Sequence, residues 1–347
     1  MVKNITSSPM FSFVVAIYRV EEYLDRCIQS LINQDYDDYE IILVDDGSDD
    51  GCGDICNRYS EKNKNVVVIH KNNGGLVSAR KTGLKIAKGE YVINVDGDDW
   101  VMPNLLKVLY AVIKKNDFRP DVVCYDYYEG DESGLVEIHQ RICQGVYIGR
   151  VLNNVRTKML YNVAAKSLWD IRPNIWCKAI RRKTLYHYQM KVDDRISFGE
   201  DAAVVYPLFE NADCIYVISD CLYCYRNNVG SMVRSYDKHL YKKTRILSRY
   251  LSDNIMTRSL KKQYYYYICI MYENLIKNEL RHRTNLPALK RKIESYFSSD
   301  DFRSVIKNVS LRRFKIQHRV FLLLLKKKCY CMVSLLSLVF RDLILRG

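Results

Sequence analysis

The sequence predicts an α/β fold: a mainly parallel central sheet flanked by helices, followed by a helical C-terminal extension. Three observations carry the prediction. Through the first 127 residues, short apolar runs alternate with segments whose apolar residues recur every three or four positions. Two of the runs end in acidic clusters, Asp45-Asp46 and Asp96 to Asp99. From about Asp237 the chain becomes basic, rich in tyrosine and helical in pattern, with Tyr264 to Tyr267 in a row.

The elements follow in order. Phe11–Ile17 is a short apolar run and reads as the first strand. Val20, Tyr23, Leu24, Cys27, Ile28, Leu31 and Ile32 form one stripe of an amphipathic helix. Glu40–Val44 is the second strand, stopped by Asp45-Asp46-Gly47-Ser48. Cys52, Ile55, Cys56 and Tyr59 make another helical stripe, and Val66–His70 the third strand. Leu76, Ala79, Leu84 and Ala87 predict a third helix, closed by Gly89. Tyr91–Val95 is the fourth strand, Leu105 to Ile113 a helix and Val122–Tyr127 the fifth strand. Strands that alternate with helices pair in parallel, and such sheets bind ligands outside their carboxyl ends. Both acidic clusters fall there.

Glu129 to Asp220 is mixed, with a turn at Glu129 to Gly134 and a Gly-Glu-Asp sequence that opens an apolar helical pattern within Ile196 to Asn211. Near the end, Val320 to Leu325 and Cys329 to Phe340 are apolar and flank three lysines. Crossing a bilayer takes about 20 apolar residues, so these runs read as helices lying at an anionic membrane surface. The competing reading is packing against the protein's own core or a dimer contact.

Composition bounds the function. Of 347 residues, 48% are hydrophobic, which excludes a disordered chain. The net charge is +14, and residues 311–347 hold nine Lys/Arg against one acid, so the tail alone supplies +8. The twelve cysteines follow a polar Met1 to Met10 with no signal-peptide pattern, which implies a reducing, cytoplasmic setting and free thiols. Cys221-Leu-Tyr-Cys224 has a metal-like spacing but no second pair, and its neighbours Leu222, Tyr223 and Tyr225 read as a buried strand.

Carboxylates crowded at a strand end repel one another unless a cation sits between them. Hard oxygen ligands select Mg²⁺ or Mn²⁺, which such sites hold together with substrate phosphates. Asp96-Gly97-Asp98-Asp99 is such a crowd, although Asp and Gly also form solvated turns. Gly74-Gly75 before Leu76 to Arg80 allows close backbone approach and an anion at the start of a helix.

With these pieces in place, the sequence resembles the inverting glycosyltransferases of family 2, which have the GT-A fold. The match lies in Val15-Ala-Ile-Tyr18 with Val20 to Leu24, Val44-Asp-Asp-Gly-Ser48, Gly74 to Arg80, Gly89-Glu-Tyr91, Asp96-Gly-Asp-Asp99, and Trp176-Cys-Lys178 followed by Phe198-Gly-Glu-Asp201. These stand in order over about Phe11 to Ser235. The resemblance implies nucleobase contacts at Tyr18 and Asp46, a donor contact at Arg80, and a ribose or metal-shell contact at Asp96. It implies metal ligation by Asp98 with Asp99 in support, and a general base at Asp201. Tyr225-Arg226 through Gly230-Ser231 resembles a loop over the diphosphate, with Arg226 neutralising it. The chain departs from the family at Ala16, usually Pro, at Arg19, usually Asn, and at Lys81, often Asn.

The resemblance further implies a catalytic domain over residues 1–235, with a nucleotide-binding half at about 11–127 and an acceptor half at about 128–235. A basic helical region, 236–347, follows, with its membrane-associating tail at about 311–347. The donor expected is a nucleotide sugar, with UDP favoured, and the metal Mg²⁺ or Mn²⁺. The acceptor expected is a saccharide or lipid-linked oligosaccharide in cell-surface polysaccharide synthesis, at the inner face of the membrane. A dinucleotide-dependent oxidoreductase would need G-x-G-x-x-G after the first strand, and Ala16 to Glu21 contains no glycine. A basic nucleic-acid-binding protein is disfavoured, because the basic residues interleave with apolar runs instead of surrounding a reader motif. An inactive scaffold is disfavoured by the intact acidic positions.

Overall fold

The computed structural model describes residues 8–115, 119–131, 133–227, 235–282 and 284–346. Packing divides the chain into two units, Met1–Asn153 with Ile171–Asn227, and Asn154–Asp170 with Asn228–Gly347. The sequence reading places one boundary near residue 235. The packing instead turns at Asn227 and groups an internal segment with the C-terminal helices.

The first unit begins with β1 (Phe11–Ile17), α1 (Glu21–Ile32), β2 (Tyr39–Asp45), α2 (Cys52–Lys62), β3 (Val66–His70), α3 (Leu76–Ile86) and β4 (Tyr91–Asp96). It continues with β5 (Trp100–Val101), α4 (Leu105–Lys115), β6 (Val122–Asp131), β7 (Gly134–Ile138) and β8 (Gly145–Ile148). Helix α5 (Gly149–Arg156) leads into β9 (Tyr161–Asn162) and β10 (Ser167–Leu168) of the second unit. The first unit resumes with β11 (Lys178–Arg181), α6 (Arg182–Gln189), α7 (Glu200–Asn211) and β12 (Cys214–Arg226).

The sheet runs β3-β2-β1-β4-β11-β6-β12-β5, with β7 beside β6 and β8 beside β12. Strands β3, β2, β1 and β4 are parallel, and β12 is parallel to β6. The strand–helix alternation foretells this parallel frame. It does not foretell β11, which enters antiparallel between β4 and β6. Ile17 pairs with Asp45, and Ala16 pairs with Asp96. Both acidic clusters therefore flank the carboxyl end of β1.

Strands covered on both faces read as unbroken apolar runs, which explains the patterns of β1, β2 and β4. Phe11, Phe13, Val15 and Ile17 share one core with Leu24, Cys27, Ile28 and Leu31 of α1, Ile55 of α2 and Leu105, Leu106 and Leu109 of α4. Glu21 and Glu22 occupy the first turn of α1, where the helix dipole favours acids. On the opposite face, Gly83 of α3 approaches β1 so closely that an added Cβ would lie 2.5 Å from Val14 Cγ1.

In the second unit, α8 (Leu240–Asn254), α9 (Arg258–Arg281), α10 (Leu286–Phe297), α11 (Asp300–Lys307), α12 (Ile316–Lys326), α13 (Tyr330–Val339) and α14 (Arg341–Arg346) follow. The tyrosine row faces inward: Tyr264, Tyr266 and Tyr267 are buried. Tyr266 stacks on Tyr161 at 5.1 Å, and Gln263 Nε2 donates to the Arg156 carbonyl at 2.8 Å. These contacts tie the 154–170 segment to α9.

Candidate active site

The site starts where β4 ends. Asp99 is buried, and both its carboxylate oxygens are taken: Tyr223 Oη donates to Oδ2 at 2.7 Å and the Arg226 amide to Oδ1 at 2.9 Å. Burial, with the charges of Asp98 and Asp96, pushes the Asp99 carboxyl well above the usual range. Asp98 is only partly buried. Its carbonyl accepts Arg226 Nε at 3.0 Å, and the Arg226 guanidinium sits 4.8 Å from the rings of both Tyr23 and Trp100. Asp99 is thereby fully engaged in hydrogen bonds, and Asp98 is the more open carboxylate.

Arg80 lies in the second turn of α3 and is 3% exposed. Its Nη2 donates to Asp96 Oδ1 at 2.9 Å and its Nη1 to Asp201 Oδ1 at 2.6 Å. One guanidinium therefore joins two acids 105 positions apart in sequence. Desolvation opposes a buried charge, yet Asp201, Asp96 and Glu200 outweigh it and hold the guanidinium firmly protonated.

Asp201 sits in the first turn of α7. Gly199 precedes this helix with φ +69°, a left-handed conformation that suits glycine, and no side chain caps the helix. Asp201 Oδ2 accepts the Ile175 amide at 3.1 Å. That amide is held by Lys178, fully buried, whose Nζ donates to the carbonyls of Arg172 at 2.9 Å and Asn174 at 2.5 Å. Glu200, next to Asp201, is pushed up to about 7, first by burial and then by the Asp201 charge, against the pull of Arg80. Asp194 lies at the surface, paired with Lys81 at 2.6 Å.

Asp46 is buried and organises the glycine turn before α3. Its carboxylate accepts the amides of Gly74 at 3.0 Å and Gly75 at 2.7 Å, and also Lys71 Nζ. Tyr18 is 43% exposed, with the Arg19 guanidinium 5.1 Å from its ring centre. Arg19 takes φ +53°, a conformation that Asn adopts far more readily, and its side chain pairs with Asp49 at 2.6 Å. Lys81 donates to the Val192 carbonyl at 2.5 Å as well as to Asp194, so this departure from the family links α3 to the loop before α7. Gly230 and Ser231 lie outside the described residues.

Two groups thus form: Arg80 with Asp96 and Asp201, and Asp98–Asp99 with Arg226. Asp46 goes to the Gly74-Gly75 turn, and Tyr18 to the surface beside Arg19. Tyr223, Lys178, Lys71 and Glu200 carry roles the sequence reading does not assign. Tyr223 sits in a strand whose burial was legible, but nothing in its spacing announces a partner at Asp99. Trp176, part of a recognised motif, stacks on Tyr223 at 4.6 Å and Tyr225 at 5.4 Å and meets Tyr127 edge-on.

Residues 12–186 match the family model for glycosyl transferase family 2. The chain is 28% identical over 316 residues to the uncharacterized glycosyltransferase EpsJ of Bacillus subtilis, covering 89% of each chain. Its fold is similar to residues 1–349 of S. aureus TarS, solved with UDP, at a TM-score of 0.67 and 20% identity, covering 96% of this chain and 91% of that one. TarS 1–349 was also solved with UDP-GlcNAc. A mannosyltransferase from Pyrobaculum calidifontis, in complex with GDP-Man and Mn²⁺, shares the fold at a TM-score of 0.51 and 13% identity, with 97% and 88% of the two chains covered.

Proposed function

The chain belongs to glycosyl transferase family 2, and on that premise we propose that it transfers a sugar with inversion from a UDP-sugar to a hydroxyl of a saccharide or lipid-linked oligosaccharide. The observation that carries this reading is Arg80. Its two short ion pairs keep Asp201 within one guanidinium of Asp96, on the rim where the acid cluster closes β4. A base for an incoming hydroxyl and a cradle for a leaving diphosphate need that proximity.

In the transfer, the acceptor oxygen attacks the anomeric carbon and its proton passes to Asp201. The bond between that carbon and the β-phosphate oxygen breaks, and the nucleoside diphosphate departs from the opposite face. A carboxylate has about four lone-pair positions. Asp201 spends two on Arg80 and Ile175 and remains 17% exposed at its side chain, which leaves a position for the acceptor. Arg226, stacked between Tyr23 and Trp100, supplies fixed positive charge beside Asp98 for the phosphates.

A divalent cation fits this donor set. The oxygens are hard, and three carboxylates, Asp96, Asp98 and Asp99, crowd the end of β4, a set whose mutual repulsion Mg²⁺ or Mn²⁺ would relieve. Asp98 would hold the ion, with Asp96 and the immobilised Asp99 around it. The ion would offset the charge developing on the leaving diphosphate. Asp46 and Tyr18 then serve the nucleobase side, Asp46 by fixing the glycine turn. The crystal structures of TarS with UDP and UDP-GlcNAc, on a similar fold, support UDP as the nucleotide.

The test is turnover of UDP- and GDP-sugars by wild type and by Asp201→Asn. The variant should lose about 10²–10⁴ in kcat while UDP affinity stays near wild type. Near-normal turnover by Asp201→Asn would pass the base role to Glu200.

A further inference from the structure

Away from the β4 end, β6 carries a second constellation between β7 and β12. Glu137 of β7 pairs across from Tyr128 of β6, and Cys221 of β12 pairs across from Asp126. Side chains two apart on a strand share a face. Asp126, Tyr128, Glu137, His139 and Cys221 therefore converge on one side of the sheet. The register of β12 slips on both sides of Cys221, and such irregularities re-aim a side chain.

We propose that Glu137, His139 and Cys221 form a site for a borderline-soft divalent metal, Zn²⁺ by its ligand chemistry, distinct from the hard-oxygen cluster at Asp98. A carboxylate oxygen, an imidazole nitrogen and a thiol sulfur are offered with all three ligand atoms within 4.8 Å of one another. This mixed set suits zinc and does not suit Mg²⁺. The nitrogen is already selected. His139 Nδ1 is held by Asp126 Oδ2 at 2.7 Å, while Asp126 Oδ1 accepts the Gln140 amide at 3.1 Å. Asp126 is 3% exposed. A buried carboxylate behind one ring nitrogen fixes the tautomer and turns the other nitrogen toward the ion.

That other nitrogen, Nε2, already stands 3.2 Å from Glu137 Oε2. Ligand atoms around tetrahedral zinc stand about 3.5 Å apart. Closing the set asks for roughly an ångström of movement, which rotation of the exposed Glu137 and His139 side chains can provide. Solvent supplies the fourth position. Cys221 is partly exposed while Cys224, its partner in the C-x-x-C spacing, is buried. The spacing therefore does not make the site. The sheet makes it, by bringing the β6–β7 hairpin together with the distant strand β12. Bound metal would clamp β7 to β12 across β6. The proposal does not rest on glycosyl transfer.

The test uses the full, reduced, chelator-stripped chain with excess Mg²⁺ to fill hard-oxygen sites. Cobalt(II) is titrated while the thiolate-to-cobalt charge-transfer absorption is followed, and Zn²⁺ is then competed against it. One equivalent should bind with that absorption, and zinc should raise the melting temperature. Cys221→Ser should abolish the absorption, whereas Cys224→Ser should leave it. His139→Gln should weaken zinc at least tenfold, and Asp126→Asn, which reaches the metal through His139, about 10–100-fold. Glu137→Gln, at the surface, gives a variant whose folding is not at risk, and it should weaken zinc about tenfold. No charge-transfer band in wild type, a band that survives Cys221→Ser, or wild-type zinc affinity in both His139→Gln and Glu137→Gln would overturn the proposal.

Discussion

Glu200 and Asp201 are neighbours in sequence, and their surroundings differ. Asp201 accepts from a guanidinium and an amide. Glu200 is desolvated beside that charge and titrates at about 7 in the folded chain, against 4.5 for an unperturbed Glu. A carboxyl whose folded value is raised favours the native state while protonated. That stability is complete below about pH 4.5 and is lost as pH rises toward 7. Glu200→Gln should remove the loss. Denaturant melts should find the variant more stable than wild type at pH 8 by on the order of 2–3 kcal/mol, and nearly equal to it at pH 4. An equal advantage at both pH values would contradict the raised value. At this scale the acidic motifs were legible, because acids at strand ends and a Gly-Glu-Asp turn are local signals. The partners of those acids were not. Tyr223 and Lys178 reach Asp99 and the 172–175 loop through the fold, and no spacing in the sequence encodes that.

Among the elements, α1 to α4 and β1 to β4 fall close to their sequence expectations, since each is long enough to show its period. Strand β11 has four residues and β5 two. Their direction and neighbours are set by the sheet, so the antiparallel insertion was hidden. Helix α3 shows how closely an element is fitted. Within a helix, Gly→Ala ordinarily gains about 1 kcal/mol. At Gly83 the new methyl would lie 2.5 Å from Val14 Cγ1 and 3.2 Å from Val44 Cγ2. Overpacking costs about 1–3 kcal/mol, so Gly83→Ala should destabilise despite its better propensity. The shift would also displace Arg80, three residues earlier on α3. Chemical denaturation should give a lower midpoint, and a higher one would mean that α3 does not pack on β1 this closely.

In the molecule as a whole, the basic surplus and the apolar tail belong to the second unit. The tail divides its faces. Leu322, Leu325 and Val333 are buried, while Val320, Leu323, Met332, Leu335, Val339 and Phe340 are exposed, and Lys326 to Lys328 lie exposed between the two helices. Among the described residues no helix is long and apolar enough to cross a membrane. The sequence framed membrane contact and self-packing as alternatives; α12 and α13 bury one face and leave the other exposed. We propose that the exposed stripes dock on anionic lipid. Val320→Asp with Leu323→Asp and Val339→Asp should leave the fold intact and abolish co-sedimentation with phosphatidylglycerol vesicles, which wild type should show in a salt-sensitive way. Wild-type protein that ignores such vesicles would remove the membrane from the account.

The central claim is that the acid cluster at the end of β4 holds a divalent cation and, with it, a nucleoside diphosphate. Calorimetric titration of UDP into wild type and Asp98→Ala, each with Mn²⁺ and with EDTA, tests it without any need for an acceptor. Asp98 is partly exposed and lies outside the core, so the variant should fold. Wild type should bind UDP at least tenfold more tightly with Mn²⁺ than with EDTA, and Asp98→Ala should bind weakly and equally in both. Equal affinity of wild type in Mn²⁺ and EDTA, or an Asp98→Ala variant that keeps the Mn²⁺ enhancement, would contradict it.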